Sequence, residues 1–245
     1  MLKYNEYSSE GLIVFTTFHQ SYGYEEFIQG IRPDTTKTGD VKFKVVDGVF
    51  KKLADSAKKD DRKNFVLIID EINRGNISKV FGELITLIED DKRLGEVNHI
   101  SVTLPLGDDF SIPNNLYILG TMNSADKSIS LIDTALRRRF DFIEMPPNPD
   151  LVKDTTLHTV LKNLNMHLCR ELRSTDLLIG HSFFINKTVD DLCDIMNKHI
   201  IPLLYEYFYD DAGKVKKALD CLNGTPCIVK DILGKRLFVE KGIDE

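Results

Sequence analysis

The sequence contains no apolar run longer than a strand, which excludes a helical membrane span of about 20 residues. Its first ten residues, MLKYNEYSSE, lack the apolar core of a secretory signal. There is no C-x-x-C pair, and Cys169, Cys193, Cys221 and Cys227 have no zinc-type spacing with the six histidines. The four therefore read as reduced thiols of a cytosolic protein. No internal repeat, low-complexity linker or G-x-x-x-x-G-K-[S/T] loop occurs anywhere. Positive charge is in deficit, 32 Lys and Arg against 38 Asp and Glu for a net charge of -6. That balance argues against gripping nucleic acid by the overall field and leaves only a local basic patch open. What remains is ordinary soluble composition, 42% hydrophobic and 29% charged over 245 residues. This is enough for one large domain or a core with a small second domain.

Two stretches organise the chain. In Asn64 to Asn73, NFVLIIDEIN, an unbroken apolar run ends in Asp70 and Glu71. A continuous β-branched run without alternation predicts a strand buried on both faces of a parallel sheet. Its acids then fall at the C-terminal edge, where open α/β sheets place their ligands. Leu116 to Ser128 has the same build: Leu116 to Leu119, then Gly120, then the polar cluster Thr121, Asn123 and Ser124. Neighbouring strands ending in acid-acid and in Thr-x-Asn suit nucleoside triphosphate hydrolysis. Asp70 would hold Mg²⁺ through water, Glu71 would polarise the attacking water, and Asn123 would complete that water's hydrogen bonds.

Around these, Gly11 to Phe18 reads as a strand, and the spacing of Tyr24, Phe27, Ile28 and Ile31 predicts a short helix stopped by Pro33. Asp34 to Asp40 is a polar excursion, Val41 to Val46 an exposed strand, and Asp47 to Asp61 a helix with a solvated lysine face. Ile77, Val80, Phe81, Leu84, Ile85 and Ile88 predict a helix packed on the sheet. Ile100 to Leu104 and Phe110 to Ile112 flank Gly107-Asp108-Asp109 as a hairpin. Ser128 to Arg138 reads as a helix ending in Arg137, Arg138 and Arg139, followed by a strand from Phe140 to Met145. Cations at a helix C-terminus suit the macrodipole. A third arginine against a strand start points instead to an arginine finger acting on a neighbour's γ-phosphate. Met145 to Pro149, MPPNP, is the clearest boundary. Beyond it helices follow at Thr155 to Leu172, Asp190 to Tyr209 (interrupted by Pro202) and Ala212 to Leu222, then a final strand and tail. The domains expected are residues 1–146, 147–222 and 223–245.

The segments FHQSYGYEEFIQGIRP, DEINRGNISKVFGELITLIEDDKR, GTMNSADKSISLIDTALRRRF, IGHSFF and IIPLLYEYF together resemble the McrB family, the AAA+ motor subunits of methylcytosine-dependent restriction systems. The resemblance runs from about Phe15 to Asp211. It implies an α/β fold, a partial AAA+ core of the phosphate-loop NTPase type with three layers around a parallel sheet, then a small helical lid. It implies Asp70 and Glu71 as the Walker B pair with Asp70 on Mg²⁺, Asn123 as sensor one, and the arginine finger at Arg138 or Arg139. Asn73, Arg74, Asp126, Arg137 and His181 would face the nucleotide, GTP or ATP. The implied partners are a homo- or hetero-hexameric ring, a McrC-like nuclease subunit, and DNA reached only through the full complex, in the cytoplasm and with no membrane. One departure from the family pattern is the phosphate loop, which should precede the strand at Gly11 to Phe18. The expectation is a carboxy-terminal portion of such a protein, with little hydrolysis of its own. The rival expectations are a non-catalytic assembly subunit that donates arginines, and another AAA+ remodeller.

Overall fold

The computed structural model describes residues 2–34, 42–123, 134–232, 234 and 236–242. It divides into two compact units, Met1–Phe142 and Ile143–Glu245.

The first unit runs α1 (Leu2–Ser9), β1 (Ile13–Thr17), α2 (Tyr24–Phe27), β2 (Gln29–Pro33), β3 (Phe43–Asp47), α3 (Val49–Lys59), β4 (Phe65–Asp70) and α4 (Ile77–Phe81). It continues through β5 (Val102–Thr103), β6 (Asp109–Phe110), β7 (Leu116–Gly120) and α5 (Thr134–Arg137). β4 is the centre of a parallel sheet in the order β1-β4-β7, with Phe15 beside Ile68 and Ile68 beside Leu119. Phe65, Leu67 and Ile69 are buried, in one core with Phe50, Leu53 and Ala54 of α3 and with Val80 and Phe81 of α4. The alternate residues Val66 and Ile68 are only half-buried. On their face Phe15, Tyr117 and Leu119 are 52%, 52% and 55% exposed. The expectation of a strand buried equally on both faces is therefore corrected: β4 is fully buried on one.

Four other expectations change. The helix at Tyr24 is a single turn, because Gln29–Pro33 leaves it to pair antiparallel with Phe43–Asp47. Gly30 makes that exit possible, since a Cβ there would lie 2.7 Å from the Cβ of Glu25. The amphipathic stretch from Ile77 keeps its buried face but not one helix. Gly82, at φ +52 and ψ -130, ends α4 and starts a 3₁₀ segment, Gly82–Ile88. The lysine face of α3 is not wholly solvated: Lys51 is buried and pairs with Asp47 at 2.9 Å, Asp108 at 3.4 Å and Asp55 at 3.5 Å. The stretch 141–148 contains no strand, and Phe142, Ile143 and Met145 are exposed. Apolar residues alone do not make a strand where no neighbouring strand supplies the ladder. The hairpin around Gly107 does form, as β5 paired with β6.

The second unit holds α6 (Thr155–Leu172), α7 (Leu192–Ile195), α8 (Ile201–Tyr207), α9 (Ala212–Ala218), β8 (Cys227–Ile232) and β9 (Arg236–Lys241). Asp154 caps α6 by accepting from the amides of Thr156 and Leu157, and its second oxygen accepts from Val189 N at 3.1 Å. Leu157, Val160, Leu161, Leu164 and Leu168 are buried, as their spacing requires. Pro202 does not break the second helical run. A π-turn, Met196–Ile200, joins α7 to α8 just ahead of the residue that cannot donate. The end of the chain is a hairpin rather than one strand, and it is tied to the helices. Asn197 exchanges hydrogen bonds with both backbone groups of Val239 at 2.7 and 2.8 Å, and Tyr205 Oη accepts from Leu237 N. Cys193 and Cys227 form a disulfide, 34 residues apart in sequence. The reading of four reduced thiols is corrected for these two, while Cys169 and Cys221 are free.

Candidate functional site

The site starts at the carboxyl edge of the sheet. β4 delivers Asp70 as its last residue, and Glu71 follows with φ 53 and ψ 45. A left-handed conformation in a non-glycine residue is uncommon and costs about 1–2 kcal/mol. Such residues gather where a site over-determines the backbone. Here the turn swings the chain into a 3₁₀ turn, Ile72–Arg74. Thr121, the first residue beyond β7, locks that turn to the sheet. Its amide donates to Ile69 O and its carbonyl accepts from Ile72 N, both at 2.9 Å. Its hydroxyl donates to Asp70 Oδ1 at 2.5 Å and accepts from Glu71 N at 3.3 Å. Gly120 permits the closure, since a Cβ there would lie 3.1 Å from Ile72 Cδ1.

Asp70 and Glu71 are thus fixed by the neighbouring strand and not merely adjacent to it. Glu71 Oε2 sits 3.1 Å from Arg74 Nε, an ion pair three residues apart. Asn73 is buried and its Oδ1 receives no hydrogen bond from the described residues. An acceptor without a donor in that position marks a place for a ligand or water proton. Asn123 lies two residues past Thr121 on the same strand exit and is exposed. Asp126 lies outside the described residues. The structure places Asp70 at the end of β4 and Glu71, Asn73 and Arg74 in the turn that follows it. To Thr121, already part of the Thr-x-Asn strand end, it gives a role the sequence did not assign, the lock on Asp70 and Glu71.

The three arginines separate. The Arg137 guanidinium lies over the Phe142 ring at 5.5 Å. Arg139 is largely enclosed, 18% exposed at its side chain, and pairs with Glu89 Oε1 at 2.6 Å. Arg138, between them, is exposed. Sequence reasoning missed Glu89, because nothing local connects it to residues 50 positions on. In the second unit, His181 opens a 3₁₀ turn and its Nδ1 accepts from Asn148 N at 3.1 Å. The backbone of Ile179, two residues before it, is clamped by Asn165 through Nδ2 to Ile179 O at 2.9 Å and Ile179 N to Oδ1 at 2.8 Å.

A metal fits Asp70 on the chemistry of its donors. Among the described residues no three His, Cys, Asp or Glu converge as a cage. Mg²⁺ takes one or two carboxylates and completes its shell with water and phosphate oxygens. A single, rigidly held aspartate at a strand end is that kind of donor.

Comparison with known proteins assigns a family to each part of the chain. Residues 9–140 match the family described as the AAA domain, dynein-related subfamily, and residues 156–216 match the McrB alpha-helical lid domain. The Escherichia coli type IV methyl-directed restriction enzyme EcoKMcrB subunit is 39% identical, over 84% of this chain and 49% of its own. The Bacillus subtilis type II restriction enzyme BsuMI component YdiS is 27% identical, over 76% of this chain and 60% of its own. The chain thus spans between about half and three-fifths of the length of these curated relatives. It belongs to the AAA domains of the dynein-related subfamily and carries, after that domain, a helical lid of the McrB type.

Proposed function

We propose that this chain is the hydrolytic core and lid of a McrB-type nucleoside triphosphatase that works in a DNA restriction system. The observation that carries the reading is the Asp70–Thr121–Glu71 lock, two acids held at a parallel strand's carboxyl end by the adjacent strand. In this reading Asp70 would hold Mg²⁺, which would supply neutralisation of phosphate charge. Glu71 takes the proton of the attacking water and Asn123 orients that water. Arg74 holds the Glu71 carboxylate by its ion pair, and release of that contact frees the base. Asn73, whose buried Oδ1 receives no hydrogen bond from the described residues, meets the nucleotide, GTP or ATP. Arg138, exposed like Arg137, reaches the γ-phosphate of the next subunit, while Arg137 lies over Phe142 and Arg139 is held by Glu89. The assembly is a ring of six with a McrC-like nuclease subunit, acting on DNA only as the full complex and in the cytoplasm. The relatives' restriction roles support the setting.

A second reading rests on the exposed Arg138 beside the open cleft at Glu89: an assembly subunit that lends its arginine to a neighbour's site. Binding of fluorescent GTP and ATP analogues with Mg²⁺ to the purified chain separates the two. Micromolar binding with turnover lost in Glu71→Gln supports the first. Absence of binding, with stimulation of a phosphate-loop-bearing McrB-type subunit that is lost in Arg138→Ala, supports the second. Neither binding nor stimulation refutes both.

A further inference from the structure

We propose that Glu89 is the positioning residue of the arginine run: its carboxylate anchors Arg139 and thereby presents Arg138 outward. The proposal rests on the reading of Arg138 as an arginine acting in trans. Glu89 follows directly on the 3₁₀ segment Gly82–Ile88, whose last two residues, Leu87 and Ile88, are 0% and 3% exposed. Its backbone is therefore fixed by the core. Arg139 is fixed from both ends. Its amide donates to Leu136 O at 2.9 Å, Leu136 being 1% exposed, and its guanidinium meets Glu89 Oε1 at 2.6 Å. A short charge-assisted contact with an enclosed guanidinium holds better than a solvated surface pair. With Arg139 held at head and backbone, Arg138 is left exposed, and Arg137, also exposed, lies over the Phe142 ring. Glu89, Arg138 and Arg139 border one open cleft of about 610 Å³, room for a neighbouring chain to enter.

The placement has a consequence for coupling. The segment that begins after Glu71 ends at Glu89, and its buried side chains Ile72, Ile77, Val80, Phe81, Leu84, Leu87 and Ile88 lie in one core. The base of a subunit's own site and the anchor of its donated arginine are thus the two ends of a single packed stretch.

The test has a structural and a functional arm. In limited trypsin digestion followed by mass spectrometry, the wild-type chain is expected to be cut after Arg138 at least tenfold faster than after Arg139. Glu89→Gln should bring the two rates to within about twofold. Equal ratios in both proteins would overturn the anchor. In rings formed with a phosphate-loop-bearing McrB-type subunit, Glu89→Gln should lower kcat at least tenfold with KM for nucleotide unchanged. Glu89→Asp, or the swap of Glu89→Arg with Arg139→Glu, should recover most of it, and the swap keeps the test valid if Glu89→Gln folds poorly. Loss of turnover in Arg138→Ala with none in Glu89→Gln would reject Glu89 alone. No loss in Arg138→Ala would reject the trans-arginine reading and this proposal with it.

Discussion

Replacing Asn165 by alanine isolates what a buried amide does for the lid. Asn165 is 9% exposed and satisfies both backbone groups of Ile179, itself 1% exposed, at 2.8 and 2.9 Å. The substitution leaves an N–H and a C=O buried without partners, and each such group costs about 1–3 kcal/mol. Water entering the vacated volume relieves part of this, so the net loss is roughly 2–4 kcal/mol. For a unit of about 100 residues, 1 kcal/mol moves the melting midpoint by about 4–8 °C, so a drop of roughly 10–30 °C is expected. Asn197→Ala supplies the control. It breaks the same pair of contacts, to Val239, from a half-buried site where water can replace the amide. Its loss should be about 1 kcal/mol. Scanning calorimetry gives the midpoints, and hydrogen exchange should show Ile179 N–H losing protection in Asn165→Ala. The motif Ile179 to Phe184 would loosen with it, His181 included. Equal, small shifts for the two variants would refute the argument that burial sets the cost.

Three further outcomes are expected. Gly82→Ala should destabilise the first unit by about 1–3 kcal/mol in denaturant titration, because φ +52 with ψ -130 is glycine territory and the added Cβ would meet the Tyr24 ring at 3.1 Å. A wild-type midpoint would show that the 3₁₀ start does not need glycine. In a native thiol assay at pH 8, exposed Cys169 should react quickly, whereas burial pushes the Cys221 thiol up to about 12 and keeps it slow. Cys193 and Cys227 should become reactive only after reduction, and more than two reactive thiols without reductant would contradict the disulfide. Asp108 is held below its ordinary 3.8 by the Gln29 amide and then by Lys51. A depressed carboxylate contributes stability above its unfolded pKa and loses it as pH falls through the folded value. Asp108→Asn should therefore lower the melting point at pH 7 and leave it nearly unchanged well below pH 3.8. An equal drop at both values would mean that the charge is irrelevant.

The lid helix was legible because its periodicity is strong: Leu157 to Leu168 at helical spacing can be satisfied only by one buried face. The acid pair was legible because it closes a continuous apolar run, and such runs end where sheets bind ligands. Elements whose state depends on a partner were not. Gln29–Pro33 follows a helix-like pattern yet becomes a strand, since pairing with β3 satisfies its backbone groups and Gly30 allows the turn out of α2. Phe140 to Met145 has strand composition, and no strand forms over residues 141–145 without a ladder to join.

By itself the sequence determined which candidate groups stand where along the chain: Asp70 and Glu71 at a strand end, Asn123 just past a second strand, three consecutive arginines, and a helical unit after the prolines. Local order and residue type suffice for these, because they follow from periodicity and from which groups can hold charge or protons. Tertiary structure decided which of those groups are held and by what. Thr121 fastens Asp70 from 51 residues away, Glu89 fastens Arg139 from 50 away, and Cys193 finds Cys227 across 34. No local pattern encodes such pairs. They exist only once packing has fixed both backbones.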